Sequence, residues 1–268
     1  MADTVAASTD TRPSVSIVIP CYNEESNLRA GALESVAAFV SGAPYVVEAL
    51  VVDDGSSDES ASLASDFADA HAGFRVLREP HRGKAGAVVA GIMAAGGDYV
   101  LFCDLDQATP ISELERFRPL MREGVGVLVG SRAGHRAGAP LIRRLMARGY
   151  IALRKLIVNL GDVTDTQCGF KAFKREAAQQ VCKSLSVYRP GVTQARGATV
   201  TAAFDAELLF LARRLGCSMR EIPVSWHHVG TKRVSPLVES WRGLRGLLQI
   251  RLNAWRGLYP EPVKQSER

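Results

Sequence analysis

The chain has 268 residues, 47% hydrophobic and 23% charged, which is ordinary for a globular protein of one large or two small domains with a sizeable core. Its formal net charge of +5 admits anionic partners such as nucleotides, phosphates, nucleic acid or anionic lipid without choosing among them. Five scattered cysteines without a CxxC exclude a disulfide framework or a zinc site and fit a reducing cytosol.

Residues 1–12 are small and polar and are expected to be disordered. They carry no basic-then-apolar signal pattern, and no later run approaches the about 20 apolar residues of a spanning helix. The expectation is a protein that is soluble or lies on a membrane. The β-branched run 15–19 predicts a strand that stops at Pro20, followed by the loop Cys21-Tyr22-Asn23-Glu24-Glu25 and a helical pattern through Val40. A second strand over 49–52 ends at Asp53-Asp54-Gly55-Ser56-Ser57-Asp58, whose serines and aspartates suit the N-cap of a helix through Ala70. A third strand over 75–77 leads to Arg82-Gly83-Lys84-Ala85-Gly86-Ala87 and a helix to Ala95. Residues 97–102 form a fourth strand, which runs into Cys103-Asp104-Leu105-Asp106-Gln107. Strand and helix alternate, so the fold class is α/β with a parallel sheet covered by helices on both faces.

In such a sheet the strand C-termini converge on one ligand crevice. Asn23, Glu24, Asp53, Asp54, Lys84, Asp104 and Asp106 all face it in this reading. Asp104 and Asp106, two residues apart at a strand end, point to the same side. Two like charges so placed need a cation or a retained proton. A hard divalent ion bridging to a substrate's phosphates answers that need. An isolated Asp-x-Asp is more often a capped turn. Four successive strand ends with polar, glycine-rich or acidic residues favour the metal site.

The second half is less regular. A fifth strand over 125–129 ends at Gly130-Ser131-Arg132. No acidic residue occurs between Glu123 and Asp162, while Arg132, Arg136, Arg143, Arg144, Arg148, Arg154 and Lys155 fall in that gap. Apolar residues recur at helical spacing after Pro140, which predicts a basic amphipathic helix of the kind that lies in a membrane interface. Residues 165–173 look like a turn into a short strand, 204–215 a helix, and 219–226 a last strand before His227 and His228, an unsuitable metal pair. The stretch 236–258 is again helical and mixes Leu237, Trp241, Leu248 and Trp255 with Arg242, Arg245, Arg251 and Arg256. It suits a membrane interface, or alternatively packing against the sheet or a second subunit, as in a homo-oligomer. The expected division is a disordered 1–12, a domain over 13–235, and a C-terminal amphipathic helix and tail over 236–268. Nucleic acid is not an expected partner, because no aromatic RNA-binding motif or recognition helix is evident.

Ile19-Pro20-Cys21-Tyr22-Asn23-Glu24, Val52-Asp53-Asp54-Gly55-Ser56, Arg82-Gly83-Lys84-Ala85-Gly86-Ala87, Asp104-Leu105-Asp106 and Gly130-Ser131-Arg132 occur in the order seen in family 2 glycosyltransferases of the GT-A fold. Asp165-Thr166-Gln167-Cys168-Gly169-Phe170-Lys171 and Phe204-Asp205-Ala206-Glu207-Leu208-Leu209 resemble the polyprenyl-phosphate branch, most of all dolichyl-phosphate β-glucosyltransferases and next the mannosyltransferases. The resemblance spans about residues 14–235. It implies a Rossmann-like, mostly parallel GT-A sheet with helices on both faces, plus amphipathic interface helices.

The same resemblance implies roles. Pro20, Tyr22, Asn23 and Glu24 match the first nucleotide-binding loop, Asp53 the acid that reads the donor base, and Asp54 its neighbour. Gly83 and Lys84 match the loop along the diphosphate. Asp106 matches the closer ligand of Mg²⁺ or Mn²⁺, with Asp104 between metal and ribose. Arg132 matches a basic residue near the phosphates, Gln167 and Lys171 the acceptor-side motif, and Asp205 and Glu207 a carboxylate close to the acceptor. Arg143, Arg144 and Lys171 are expected to hold the acceptor phosphate. Mannosyltransferases of this branch usually have a glutamine two residues after the second aspartate. Here Gln107 follows Asp106 directly, and Ala108-Thr109 resembles the glucosyltransferase pattern. The expected reaction is inverting, metal-dependent transfer of a hexose, first glucose from UDP-glucose, to polyprenyl or dolichyl phosphate by a peripheral enzyme on the cytoplasmic membrane face. GDP-mannose or UDP-N-acetylhexosamine as donor, or a soluble hydroxyl acceptor, are the alternatives.

Overall fold

A computed structural model describes residues 13–132, 149, 153–188, 202–227 and 236–263, with 202 and 236–242 through their backbone alone. The expectations for residues 1–12, Arg143, Arg144 and the start of the basic helix after Pro140, and for the side chains of Leu237, Trp241 and Arg242, lie outside the described residues.

The chain runs β1 (Val15–Cys21), α1 (Glu25–Arg29), α2 (Ala32–Ser41), β2 (Val46–Asp53), α3 (Ser60–Ala70), β3 (Phe74–Arg78), α4 (Lys84–Ala94) and β4 (Tyr99–Phe102). A 3₁₀ turn (Ile111–Glu113), α5 (Leu114–Arg122), β5 (Val127–Ser131), β6 (Lys171–Lys174), α6 (Arg175–Lys183), α7 (Ala202–Arg214), β7 (Met219–Pro223) and α8 (Pro236–Trp255) follow. The helix expected through Val40 is two helices, because Gly31 takes φ 86° between them. Helices α5 and α6 escaped the sequence reading. Both are polar on average, so their apolar stripes (Leu114, Phe117 and Met121; Ala178, Val181 and Cys182) stand out only once packed.

The seven strands form one sheet in the order β3-β2-β1-β4-β6-β5-β7. All pairings are parallel except those of β6, which runs antiparallel between β4 and β5. Successive strand residues go to opposite faces, and both faces are covered. Val18, Val52, Val100 and Phe102 meet α4, α6, α7 and α8 on one side. Ile17, Ile19, Val51 and Leu101 meet α1, α2, α3 and α5 on the other. The inner face of α8 places Leu247 and Ile250 in the same core as Leu208, Leu209 and Leu211 of α7. Strand order reverses about β1, with β2 on one side and β4 on the other, and the crevice opens outside the carboxyl ends of these strands.

Helix α4 lies close on this sheet. A Cβ at Gly91 would strike a Val18 methyl and sit 3.1 Å from a Val52 methyl. Helix propensity alone would make Gly91→Ala stabilising by about 1 kcal/mol. Overpacking, at about 1–3 kcal/mol, has the opposite sign and wins against two buried β-branched residues. Urea unfolding is expected to show Gly91→Ala less stable than the parent.

Candidate active site

The loop after β1 is stitched to the loop after β2. Asn23 takes φ 53°, a conformation asparagine tolerates, and its Oδ1 accepts the Ser57 amide at 2.8 Å. The Asn23 amide donates to Ser56 Oγ at 3.0 Å, and the Glu24 amide to Ser60 Oγ at 2.8 Å. Asn23 therefore fixes the loop from outside the cleft. Asp53 is buried under the same turn, accepting from the Ser56 amide at 3.3 Å. Asp54, the next residue, reaches the cleft wall. Its carboxylate takes the Arg82 amide at 2.7 Å and pairs with His81 Nδ1 at 2.8 Å. The His81 ring in turn stacks on Tyr22, with centroids 4.0 Å apart.

These residues enclose a cleft of about 230 Å³ lined by Pro20, Tyr22, Glu24, Asp54, His81 and Gly83 on one side, and by Lys84, Asp104, Leu105 and Asp106 on the other. Gly83, at φ 82°, turns the chain into α4. Amides of a helix start face anions favourably, which suits a diphosphate here. Lys84, the first residue of α4, is ion-paired with Asp104. Burial opposes its charge, but Asp104, Asp205 and Asp106 hold the ammonium above its ordinary range. Burial pushes the Glu24 carboxyl up, its Asn27 hydrogen bond offsets part of this, and Asp106 and Asp104 push it further. The Cys21 and Cys103 thiols are pushed up to about 12 by burial, so neither serves as a thiolate.

Among the described residues, no group of three or more His, Cys, Asp and Glu side chains gathers closely enough to hold a metal. Asp104 and Asp106 fit an ion whose remaining ligands are substrate phosphates and water, the usual Mg²⁺ arrangement at nucleotide sites. Asp106 Oδ1 accepts the Ala108 amide at 3.0 Å, which orients that carboxylate. Gln107 spends both ends of its amide within the loop, donating to the Asp104 carbonyl at 3.0 Å and accepting from the Ile111 amide at 3.1 Å. A Cβ at Gly169 would fall on the Asp104 carboxylate, so glycine lets the 165–171 segment close over the aspartate pair.

Several residues that match the acceptor-side and phosphate-side motifs make contacts within the protein. Arg132 grips Asp165 with two guanidinium bonds of 2.8 Å and lies 5.8 Å over the Trp226 ring. Lys171 is wholly buried, donating to the Cys168 carbonyl at 2.5 Å and to Asp205 Oδ1 at 2.6 Å. Gln167 is half-buried in the turn that its amide closes onto Asp165. Glu207 is also fully buried, accepting the amides of Ser186, Val187 and Tyr188 and the Tyr259 hydroxyl. Asp205 is partly exposed and electrostatically close to Lys84, beside the cleft.

A family model described as Glycosyl transferase family 2 matches residues 16–182. The chain belongs to glycosyl transferase family 2. The transferase is 32% identical to the dolichyl-phosphate β-glucosyltransferase of Drosophila melanogaster, over 93% of this chain and 79% of the relative. It is 31% identical to the Homo sapiens protein of that name, over 90% and 77%. A glucosyl-3-phosphoglycerate synthase from Mycobacterium tuberculosis in complex with UDP matches with a TM-score of 0.60 at 23% identity, over 89% of this chain and 80% of that one. The same enzyme with Mn²⁺ and UDP-glucose matches at 0.57 and 25%, over 93% and 80%. The transferase thus has the GT-A fold that its motifs imply.

His81 lines the cleft and Tyr188 reaches the Arg82 carbonyl from behind it, and the sequence reading named neither. A histidine just before Arg82-Gly83-Lys84 is a weak signal, and Tyr188 is distant in sequence from everything it touches.

The Arg132–Asp165 pair has a pH signature. Burial alone would raise the Asp165 carboxyl, but Arg132, with Lys171 behind it, holds it down at about 2. Its unfolded value is about 3.9. The pair's contribution is therefore fully present above about pH 4 and lost as pH falls to about 2, on the order of 2 kcal/mol. Urea titrations across that window are expected to show a steeper loss for the parent than for Asp165→Asn.

Proposed function

We propose that the transferase moves a hexose, with glucose from UDP-glucose the first assignment, to polyprenyl or dolichyl phosphate with inversion. The observation that carries this reading is the meeting of Asp104, Asp106 and Lys84 at the end of β4 and the start of α4. The relatives named dolichyl-phosphate β-glucosyltransferase supply the donor sugar and the acceptor.

Asp106, with Asp104, would hold Mg²⁺ or Mn²⁺. The bound ion supplies Lewis-acid neutralisation of the departing nucleoside diphosphate. Lys84 and the amides at the start of α4 add fixed positive potential where that charge develops. Tyr22 and the His81 stacked on it form the wall toward the nucleoside. A phosphate monoester with a second pKa of about 6 is already a nucleophile at neutral pH, so no general base is required. Two features support this acceptor over a sugar hydroxyl: Glu207 is sequestered, and one oxygen of Asp205 is taken by Lys171. Asp205 orients the acceptor in this reading. An incoming oxygen opposite the leaving group converts an α-linked donor to a β-linked product.

The lipid tail requires a membrane. No helix among the described residues is long and apolar enough to cross one. The outer face of α8 and the turn after it expose Leu248, Leu252, Trp255 and Leu258, with Arg245, Arg251 and Arg256 beside them. Apolar bodies flanked by arginines suit an anionic lipid surface, on the cytoplasmic face in this reading.

Turnover of polyprenyl phosphate with a nucleotide-sugar panel and Mg²⁺ or Mn²⁺ tests the reading. Product is expected first with UDP-glucose, and Asp106→Ala is expected to lower kcat/KM by about a hundredfold or more. Asp205→Asn strands the buried Lys171 charge and so is assayed where the variant is still folded; kcat there is expected to fall less than about tenfold, whereas a hydroxyl acceptor needing a base predicts about a hundredfold or more. Sedimentation with anionic and zwitterionic vesicles is expected to show anionic-selective binding that weakens in Leu248→Ser/Trp255→Ser.

A further inference from the structure

Glu207 stands on the second turn of α7, with its side chain wholly buried. Three consecutive amides point at it: Ser186 at 2.8 Å, Val187 at 2.7 Å and Tyr188 at 3.2 Å. The Tyr259 hydroxyl adds a fourth donor at 2.7 Å. Burial and the neighbouring Glu207 push that phenol up, so it remains the donor. A buried carboxyl costs desolvation, which these four donors offset, and together they pin the 186–188 turn to α7. Asn253 of α8 holds the same turn, donating to Ser186 Oγ at 3.2 Å.

That turn carries Tyr188 to the donor loop. Its ring sits edge-on to Phe204, with centroids 5.7 Å apart, and its hydroxyl donates to the Arg82 carbonyl at 3.4 Å. The same oxygen lies 2.6 Å from where a Cβ at Gly86 would stand, so the phenol occupies the space beside the first turn of α4. Asp54 takes the amide of the same residue, Arg82, at 2.7 Å. The segment holding Gly83 and Lys84 is thus clamped between Asp54 and Tyr188. Behind Tyr188 stand Glu207 and then Tyr259, which follows directly from the helix with the exposed Leu252 and Trp255.

We propose that Glu207 is a positioning residue that sets the diphosphate loop through Tyr188, and that Tyr259 ties the seating of the C-terminal helix to donor affinity. The proposal rests on the reading of the 82–86 loop as the donor's diphosphate contact. It gives Glu207 a role in the reaction that requires no contact with either substrate.

Full-length Tyr188→Phe, Tyr259→Phe and Glu207→Gln, compared by steady-state kinetics and by hydrogen exchange, test it. Tyr188→Phe is expected to raise the donor KM by about fivefold, the worth of one neutral hydrogen bond, with the acceptor KM unchanged. Amides of the first turn of α4 are expected to exchange faster in Tyr188→Phe and Tyr259→Phe, while those of α2 do not change. Combining Tyr188→Phe with Tyr259→Phe is expected to give less than the product of the single effects, as for residues on one path. Unchanged exchange at 82–87 in Tyr188→Phe overturns the proposal, whatever the enzyme's substrate, as do multiplicative effects of the pair. A purely structural role predicts a lower Tm with both KM values unmoved. If Glu207→Gln does not fold, the two phenol deletions still decide. If exchange changes as expected but Asp106→Ala leaves donor turnover intact, the functional reading fails and the clamp stands.

Discussion

Carboxylates crowd one end of this sheet, and their mutual repulsion is the constraint on which the rest depends. Glu24, Asp54, Asp104 and Asp106 line a single small cleft, and Asp53 lies just beneath it. Like charges at such spacing are stable only with protons, cations or donated hydrogen bonds among them. Each remedy is used. Glu24 holds its proton more tightly than usual, Asp54 takes a backbone amide and His81, and Asp104 takes Lys84. Asp106 accepts the Ala108 amide, which orients a carboxylate suited to a hard cation. The cleft is thereby left with a carboxylate-rich floor and a single paired lysine, Lys84.

A second shell of charge surrounds this cleft and serves a different purpose. Arg132–Asp165 and Lys171–Asp205 are largely buried pairs with good geometry. Removing one partner of such a pair costs about 3–5 kcal/mol, because it strands the other charge. They hold the 165–171 segment against the aspartate pair, where Gly169 permits the close approach. Residues that match acceptor-side motifs are thus tied into the segment that closes on Asp104. Asp205 keeps some exposure, and its charge acts on Lys84 as well as on Lys171.

Much of this was legible in the chain. The apolar runs before Pro20, Asp53 and Cys103 gave strands β1, β2 and β4, although β1 continues through Pro20 to Cys21, and the polar residues after each gave the crevice. Alternation of strand and helix gave the layers. Strand β6 was less legible: nothing local in Lys171-Ala172-Phe173-Lys174 says that it enters antiparallel between β4 and β5. Direction in a sheet is settled by the partners on either side, and β6 is separated from β5 by about forty residues.

By itself the sequence determined the family, the α/β layering and the convergence of Asp104, Asp106 and Lys84, because strand ends and helix starts are local properties. Only the tertiary structure decided what each flanking charge does. Lys171 and Glu207 read alike as substrate-facing groups, yet one neutralises Asp205 and the other gathers three amides and a phenol. The same held at the paired aspartates after β2, where Asp54 and not Asp53 reaches the cleft. A charged side chain's role depends on which partners surround it after burial, and those partners come from positions far apart in the chain.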